Sequence, residues 1–236
     1  MVNYLVNYSD KSHKESQKNN SNSALEIGGF DKVFSFNISD LGESFLNENR
    51  YIMSQPRGAG YWMWKPFVIK KALNAIEDDD LLMYSDSGIL FIRNIDEIKA
   101  IMDETKEKLL LFELDDIHPN KRWTKRDCFK LMDLDCEPYL SSSQFLASYI
   151  LMRKNDFVMN FIEEWLEYSK DYRIITDSNN ECGLPNYPEF LDHRHDQSIL
   201  SLLGLKHKIK NIPDVSQYGA DRAIVSQVFN HHRNRA

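Results

Sequence analysis

The run Leu81-Leu82-Met83-Tyr84 stops at Ser85-Asp86-Ser87-Gly88, and this change from apolar residues to a polar turn constrains the chain more than any other stretch. A buried strand ends in this way, because both of its faces are covered along its length and the turn must return to water. Around it, apolar runs of strand length alternate with segments of helical period. Residues 2–8 and 32–37 read as strands before it, and residues 109–114 and 144–152 after it.

Helices fill the intervals. Within residues 65–76, Pro66 stands where a first helical turn tolerates proline, and Ile69, Leu73 and Ile76 recur at helical spacing. Residues 94–105 and 122–134 also read as helices. Residues 155–168 place Phe157, Val158, Phe161, Ile162 and Trp165 on one face. A last helix beginning near Asp196 buries Ile199, Leu200, Leu202 and Leu203. Ser39 or Asp40 caps a short helix ending near Asn49. Residues 9–23, crowded with Lys, Ser and Asn, read as a loop. The alternation predicts a Rossmann-like α/β fold: a mostly parallel central sheet with helices on both faces and ligands at the strands' carboxyl ends.

The 236 residues suit one domain, and no repeat or Pro-rich or Ser-rich linker divides them. A formal charge of -7 repels nucleic acid and anionic bilayers alike, so neither is an expected partner, although contact at a membrane's inner face stays open. No apolar run reaches the roughly 18 residues of a membrane span. Residues 1–10 are too polar and too few for a signal peptide, so the expected location is the cytoplasm. Cys128, Cys136 and Cys182 lack CxxC spacing and read as ordinary thiols.

Four segments can carry chemistry. In Tyr84-Ser85-Asp86-Ser87-Gly88, a carboxylate exposed at a strand end can hold a divalent cation while a diphosphate supplies further oxygens; the plainer alternative is a turn cap. In the segment from Arg57 to Pro66, two glycines lead into a helix start, where free amides, Arg57 and Lys65 favour an anion. Tyr61, Trp62 or Trp64 there can stack on a sugar or a base, or else belong to the core. In Asp192-His193-Arg194-His195-Asp196, the polar residues exceed what capping requires; Asp196 or Asp192 can serve as a general base and Arg194 as a phosphate clamp, with capping the alternative for Asp196. HxRxH lacks the i, i+4 histidine pair of a zinc helix. Finally, His231 or His232 near the end can complete a metal shell or lie in a solvated tail.

In this order the segments resemble the GT-A-fold glycosyltransferases of bacterial capsule and O-antigen clusters and of some large viruses. The likeness spans residues 50–235 and rests on GYWMWKP, YSDSG and HRHDQSILSLL. It implies transfer of a sugar from a nucleoside-diphosphate sugar, with UDP expected, to a hydroxyl of a glycan or glycolipid in surface polysaccharide synthesis. Residues 1–90 would bind the nucleotide, with Tyr8 beside the base and Arg57, Lys65, Asp86, Ser87 and Arg194 about the phosphates. Residues 91–236 would bind the acceptor, with Tyr61, Trp62, Trp64 and His195 on the sugar. Asp86 falls on the DxD element that holds Mn²⁺ or Mg²⁺, His231 or His232 on a terminal histidine ligand, and Asp196, with Asp192 behind it, on the base of an inverting transfer. Ser87 and Gly88 stand where a second carboxylate is often found. A lectin-like module and a sugar nucleotidyltransferase are the rival readings; the second wants a basic glycine-rich loop near the first strand, and none is present.

Overall fold

The computed structural model describes residues 1–232. It opens with β1 (Asn3–Tyr8), α1 (Lys14–Ser23), β2 (Lys32–Phe36), α2 (Glu43–Glu48), α3 (Arg50–Met53), a helical turn α4 (Gly58–Tyr61) and α5 (Trp64–Leu73). Then come β3 (Leu81–Ser85), β4 (Ile89–Phe91), α6 (Asp96–Thr105), β5 (Leu109–Glu113), α7 (Asn120–Trp123) and α8 (Arg126–Leu131). The last part holds β6 (Tyr149–Arg153), α9 (Asp156–Ser169), α10 (Tyr172–Ile175), α11 (His195–Lys206), β7 (Lys210–Pro213) and β8 (Phe229–His231).

Six strands form the main sheet in the order β2-β1-β3-β6-β5-β7. β6 pairs antiparallel with both β3 and β5, whereas β1 with β2, β1 with β3 and β5 with β7 are parallel, so β6 alone is reversed. The strand period of two sends Tyr4, Val6, Tyr8, Leu82 and Tyr84 to one face, where α5, α9 and α11 cover them. Leu5, Leu81, Met83, Leu110 and Phe112 go to the other, against Ile98 and Met102 of α6. The mostly parallel sheet covered on both faces is thus the one the sequence predicts. β4 and β8 pair separately, antiparallel, and bring His231 opposite Ile89 beside the turn after β3.

Several expectations need correction. Residues 9–23 are not a loop but a short 3-10 turn and α1, because Asn20 is wholly buried and its side chain bonds Ser85 Oγ at 2.9 Å, the Ile89 carbonyl at 2.8 Å and Asn7 Nδ2 at 2.7 Å. Such tertiary bonds override the weak propensity of a Ser/Asn-rich segment. Residues 122–134 break into α7 and α8 at Thr124-Lys125, where the backbone extends so that the Lys125 ammonium reaches the Ser178 carbonyl at 2.7 Å. The cap near residue 40 is Asn37, with Asp40 returning the second bond of a capping box. The strand predicted over 144–152 is regular only from 149, and runs on to 153, since Gln144 is diverted to bond Trp123, Thr124 and Ser198. Phe157 is 40% exposed, while Val158, Phe161, Ile162 and Trp165 are buried. Residues 233–236 of the terminal segment lie outside the described residues.

Candidate active site

β3 delivers Asp86 to the carboxyl edge of the sheet, where its N–H donates to the Ser148 carbonyl at 2.7 Å. The Tyr84 hydroxyl donates to Asp86 Oδ1 at 2.6 Å; burial first and Asp86 second push the Tyr84 pKa well up, so it remains a protonated donor. The Lys65 ammonium lies 3.3 Å from the same oxygen, 2.7 Å from Asp196 Oδ2 and 3.0 Å from the Ala147 carbonyl that accepts its proton. Lys65 is thus a buried cation between two carboxylates, on the first turn of α5.

Burial opposes the Lys65 charge, yet Asp196 and then Asp86 overcome it, and its pKa rises. For Asp196, burial outweighs the attraction of Lys65 and carries its pKa up to about 6. The buried lysine, held by two carboxylates, is the member that stays charged, and Asp196 is the one that titrates. Asp196 does not cap α11: the preceding Arg194 occupies that position and no side chain caps it. Its contact with Lys65 is an ion pair, and Oδ2 makes no hydrogen bond.

A second cluster adjoins the first. Arg57 clasps Asp192 with NH1 at 3.2 Å and NH2 at 2.5 Å and reaches Asp177 at 3.0 Å. Asp192 is therefore ionised, its pKa lowered by Arg57 against the effect of burial. His195 Nδ1 bonds the Ile175 carbonyl at 2.7 Å, and burial lowers its pKa to about 4, so the ring is neutral near pH 7. The Tyr61 and Trp62 rings lie 4.6 and 5.7 Å from it.

The segment supporting those rings is wound left-handed. Gly58, Ala59, Gly60, Tyr61 and Trp62 have φ of 59, 50, 99, 52 and 59°, and His195 has 50°. A non-glycine residue pays about 1–2 kcal/mol for this conformation. Strain of this kind clusters at functional sites and persists only where surroundings enforce it. Here the enforcement includes bonds from the Tyr61 amide to the Arg57 carbonyl at 2.8 Å and from the Trp64 indole to the Gly58 carbonyl at 3.0 Å.

Other expected site residues are placed differently. Trp64 is buried and stacks on Tyr8 at 3.9 Å, so it is core and offers no free platform. The Tyr8 hydroxyl is buried without a hydrogen bond, and burial followed by Asp10 pushes its pKa up to about 12. Arg194 lies 3.9 Å over the Trp123 ring. Ser87 is half-buried in the turn, and the His232 amide donates to the Gly88 carbonyl at 2.7 Å. A Cβ on Gly88 would meet the His232 carbonyl oxygen at 2.5 Å, so this close return of the chain demands glycine. No cluster of three His, Cys, Asp or Glu side chains suited to a metal occurs among the described residues. Sequence reading missed Asp177 and Asn20; neither stands in a motif, and only their position in space makes them notable.

No family model matches the sequence, and no curated protein matches it either. Among solved structures, mouse xyloside xylosyltransferase 1 in its apo form superposes with a TM-score of 0.54 at 11% identity, covering 99% of this chain and 98% of that one. The fold is that of the GT-A glycosyltransferases. The galactosyltransferase LgtC, in complex with donor and acceptor sugar analogs, reaches a TM-score of 0.49 at 13% identity over 98% of this chain and 87% of its own. GlyE of Streptococcus pneumoniae reaches 0.45 at 15% identity over 99% and 55%. These two scores are too low to carry any argument. Identity at this level speaks for the GT-A fold alone. In that fold the carboxyl edge holding Asp86, Lys65 and Asp196 is where a sheet of this type receives ligands. No helix among the described residues is long and apolar enough to cross a membrane.

Proposed function

We propose that the chain is a glycosyltransferase moving a sugar from a nucleoside-diphosphate sugar, UDP-linked, to a hydroxyl of a glycan or glycolipid in surface polysaccharide synthesis. The observation that carries this is Asp86, a strand-end carboxylate fixed at the carboxyl edge of a GT-A sheet by the Tyr84 hydroxyl at 2.6 Å and the Lys65 ammonium at 3.3 Å. A carboxylate immobilised so firmly is suited to orient a diphosphate through a shared cation.

Mn²⁺ or Mg²⁺ fits this site only as a partner of the donor. Asp86 is the one carboxylate on the turn, and Lys65 opposes a second cation beside it. We therefore assign the cation to Asp86 together with the donor's own diphosphate. His231 returns beside this turn through its pairing with Ile89, and it is the further candidate ligand. When bound, the cation supplies neutralisation of the leaving diphosphate. Arg57 and Arg194 are engaged with Asp177, Asp192 and Trp123, so neither is offered as a phosphate clamp.

Asp196 is assigned to positioning instead of proton abstraction. It is 4% exposed and its carboxylate meets an ammonium, which leaves no open face for an acceptor hydroxyl. Its work is to hold Lys65, and through it Asp86. A panel of nucleotide sugars in a thermal-shift assay, with and without Mn²⁺, tests the reading, because a ligand that binds only the folded state raises its apparent stability. A UDP-sugar should raise the Tm more than a nucleoside triphosphate; no shift with any nucleotide would refute it.

A further inference from the structure

The ten residues of α1 include no apolar one, and among them Asn20 alone is buried. So short and polar a helix is not stable by itself and has no apolar face to dock it. Side-chain amides hold it to the sheet, and they form an ordered chain.

That chain starts at the carboxyl ends of β1 and β2. Gln17 Nε2 donates to the Phe36 carbonyl at 2.8 Å and to Asn7 Oδ1 at 2.9 Å, while Gln17 Oε1 accepts from the Ser9 hydroxyl at 2.8 Å. Asn7 Nδ2 donates in turn to Asn20 Oδ1 at 2.7 Å. Asn20 Nδ2 then donates to Ser85 Oγ at 2.9 Å and to the Ile89 carbonyl at 2.8 Å. Asn7, Asn20 and Ser85 are wholly buried.

The two ends dictate the direction of every amide. The carbonyls of Phe36 and Ile89 can only accept, so a nitrogen must face each of them, and the three amides between can run only head to tail. Turning one of them over would set oxygen against oxygen or nitrogen against nitrogen in a buried place, where an unmet polar group is costly.

Ser85 and Ile89 flank Asp86, Ser87 and Gly88. One nitrogen of Asn20 thus pins both ends of the turn that carries Asp86, inside which the Ile89 amide donates to the Asp86 carbonyl at 3.0 Å. We propose that Asn20 is the positioning residue of the Asp86 turn, and that Asn7 and Gln17 fix its amide in the direction the turn requires. The consequence for transfer rests on the transferase reading; the placement of the turn does not.

The full-length wild type is compared with Asn20→Ala and Gln17→Glu. Gln17 is half-buried and its side chain bonds Asn7, Ser9 and Phe36, so Gln17→Glu should stay folded while it withdraws the donor that orients Asn7. Amide hydrogen exchange by NMR follows Ile89 in the turn against Leu151 in the middle of the sheet, and UDP release with Mn²⁺ gives kcat at saturating UDP-sugar. Relative to Leu151, Ile89 should exchange about tenfold faster in Asn20→Ala and about threefold faster in Gln17→Glu. The kcat should fall by similar factors, because the carboxylate is displaced; a residue that only supported the fold would leave kcat per folded molecule alone.

If the wild type turns over and the folded variants match its kcat, the proposal is overturned and the transferase reading stands. Ile89 exchange that is unchanged, or that quickens only in step with Leu151, also overturns it. If the wild type turns over no UDP-sugar, the transferase reading falls and exchange decides alone, with a selectively faster Ile89 upholding the role of Asn20. Should Asn20→Ala fail to fold, the same comparisons on Gln17→Glu decide.

Discussion

The Lys65 ammonium and the Asp196 carboxylate, brought together by the first turns of α5 and α11, meet at 2.7 Å in the interior. Because Asp86 shares the same lysine at 3.3 Å, the charge on α5 joins the turn after β3 to the start of α11. Removing one member of a buried pair leaves a charge without compensation, at a cost of about 3–5 kcal/mol.

Asp196→Asn should therefore lower stability by roughly 3 kcal/mol, the smaller end of that range because Asp86 stays on Lys65, and cut transfer about 100-fold by loosening the lysine that positions Asp86. Urea unfolding and initial rates measure both. A capping role for Asp196 predicts neither loss, since Asn caps about as well as Asp. The double variant Lys65→Met/Asp196→Asn should be destabilised by less than the sum of the single changes, because the second substitution removes a charge already stranded.

Between pH 4 and 6.5 opposing groups titrate. Burial raises Asp196 to about 6, so the folded state binds more protons than the unfolded one from about 3.8 to 6, and its contribution to stability falls as pH rises. Burial lowers His195 to about 4 and His193 well below its ordinary value; there the unfolded state binds more protons, and stability grows as pH rises to about 6.5. Two histidines outweigh one aspartate, so the protein should lose stability on acidification through this window. Asp196→Asn removes the opposing member and should steepen the slope, by at most about 1.4 kcal/mol per pH unit. Unfolding midpoints at half-unit pH intervals test this.

The left-handed turn predicts a contrast between neighbours. Ala59, at φ 50°, should be stabilised by about 0.5–1 kcal/mol on substitution by glycine, because the strain it relieves exceeds the added freedom of the unfolded chain. Gly60→Ala should destabilise by more than 1 kcal/mol, since φ is 99° and the new Cβ would lie 2.9 Å from the Met53 Cα. Equilibrium unfolding in urea distinguishes the two signs.

A metal measurement checks the assignment of the cation. With Asp86 as the one carboxylate on the turn, Mn²⁺ alone should bind no tighter than millimolar, and saturating UDP should tighten it at least tenfold. Electron paramagnetic resonance of free Mn²⁺ reads both. Tight Mn²⁺ binding without nucleotide would contradict a shared site.

Much of the fold was legible because burial repeats with a period. Ile69 and Leu73 of α5 announce a covered helix face, and the apolar runs within Leu81–Ser85 and α11 announce elements covered on every side. What stayed hidden depends on side-chain bonds across the chain. Asn20 looks like loop composition until Ser85 and the Ile89 carbonyl are beside it, and Lys125 breaks a helical stretch to reach residue 178. At the site, Asp86 and Asp196 could be picked out by their place at element ends. That Lys65 joins them, and that Arg57 pairs with Asp177 and Asp192, are facts of distance that no local pattern encodes.

The most direct test of the central claim compares UDP-sugar turnover by the wild-type chain and Asp86→Ala, assayed as UDP release with Mn²⁺ and saturating donor. Asp86 is partly exposed at a strand end, with 29% of its side chain accessible, so the variant should stay folded by circular dichroism. The account predicts measurable turnover by the wild type and a loss of at least about 1,000-fold in the variant. Equal turnover by the folded variant would contradict the assignment of Asp86 as the group that holds the donor.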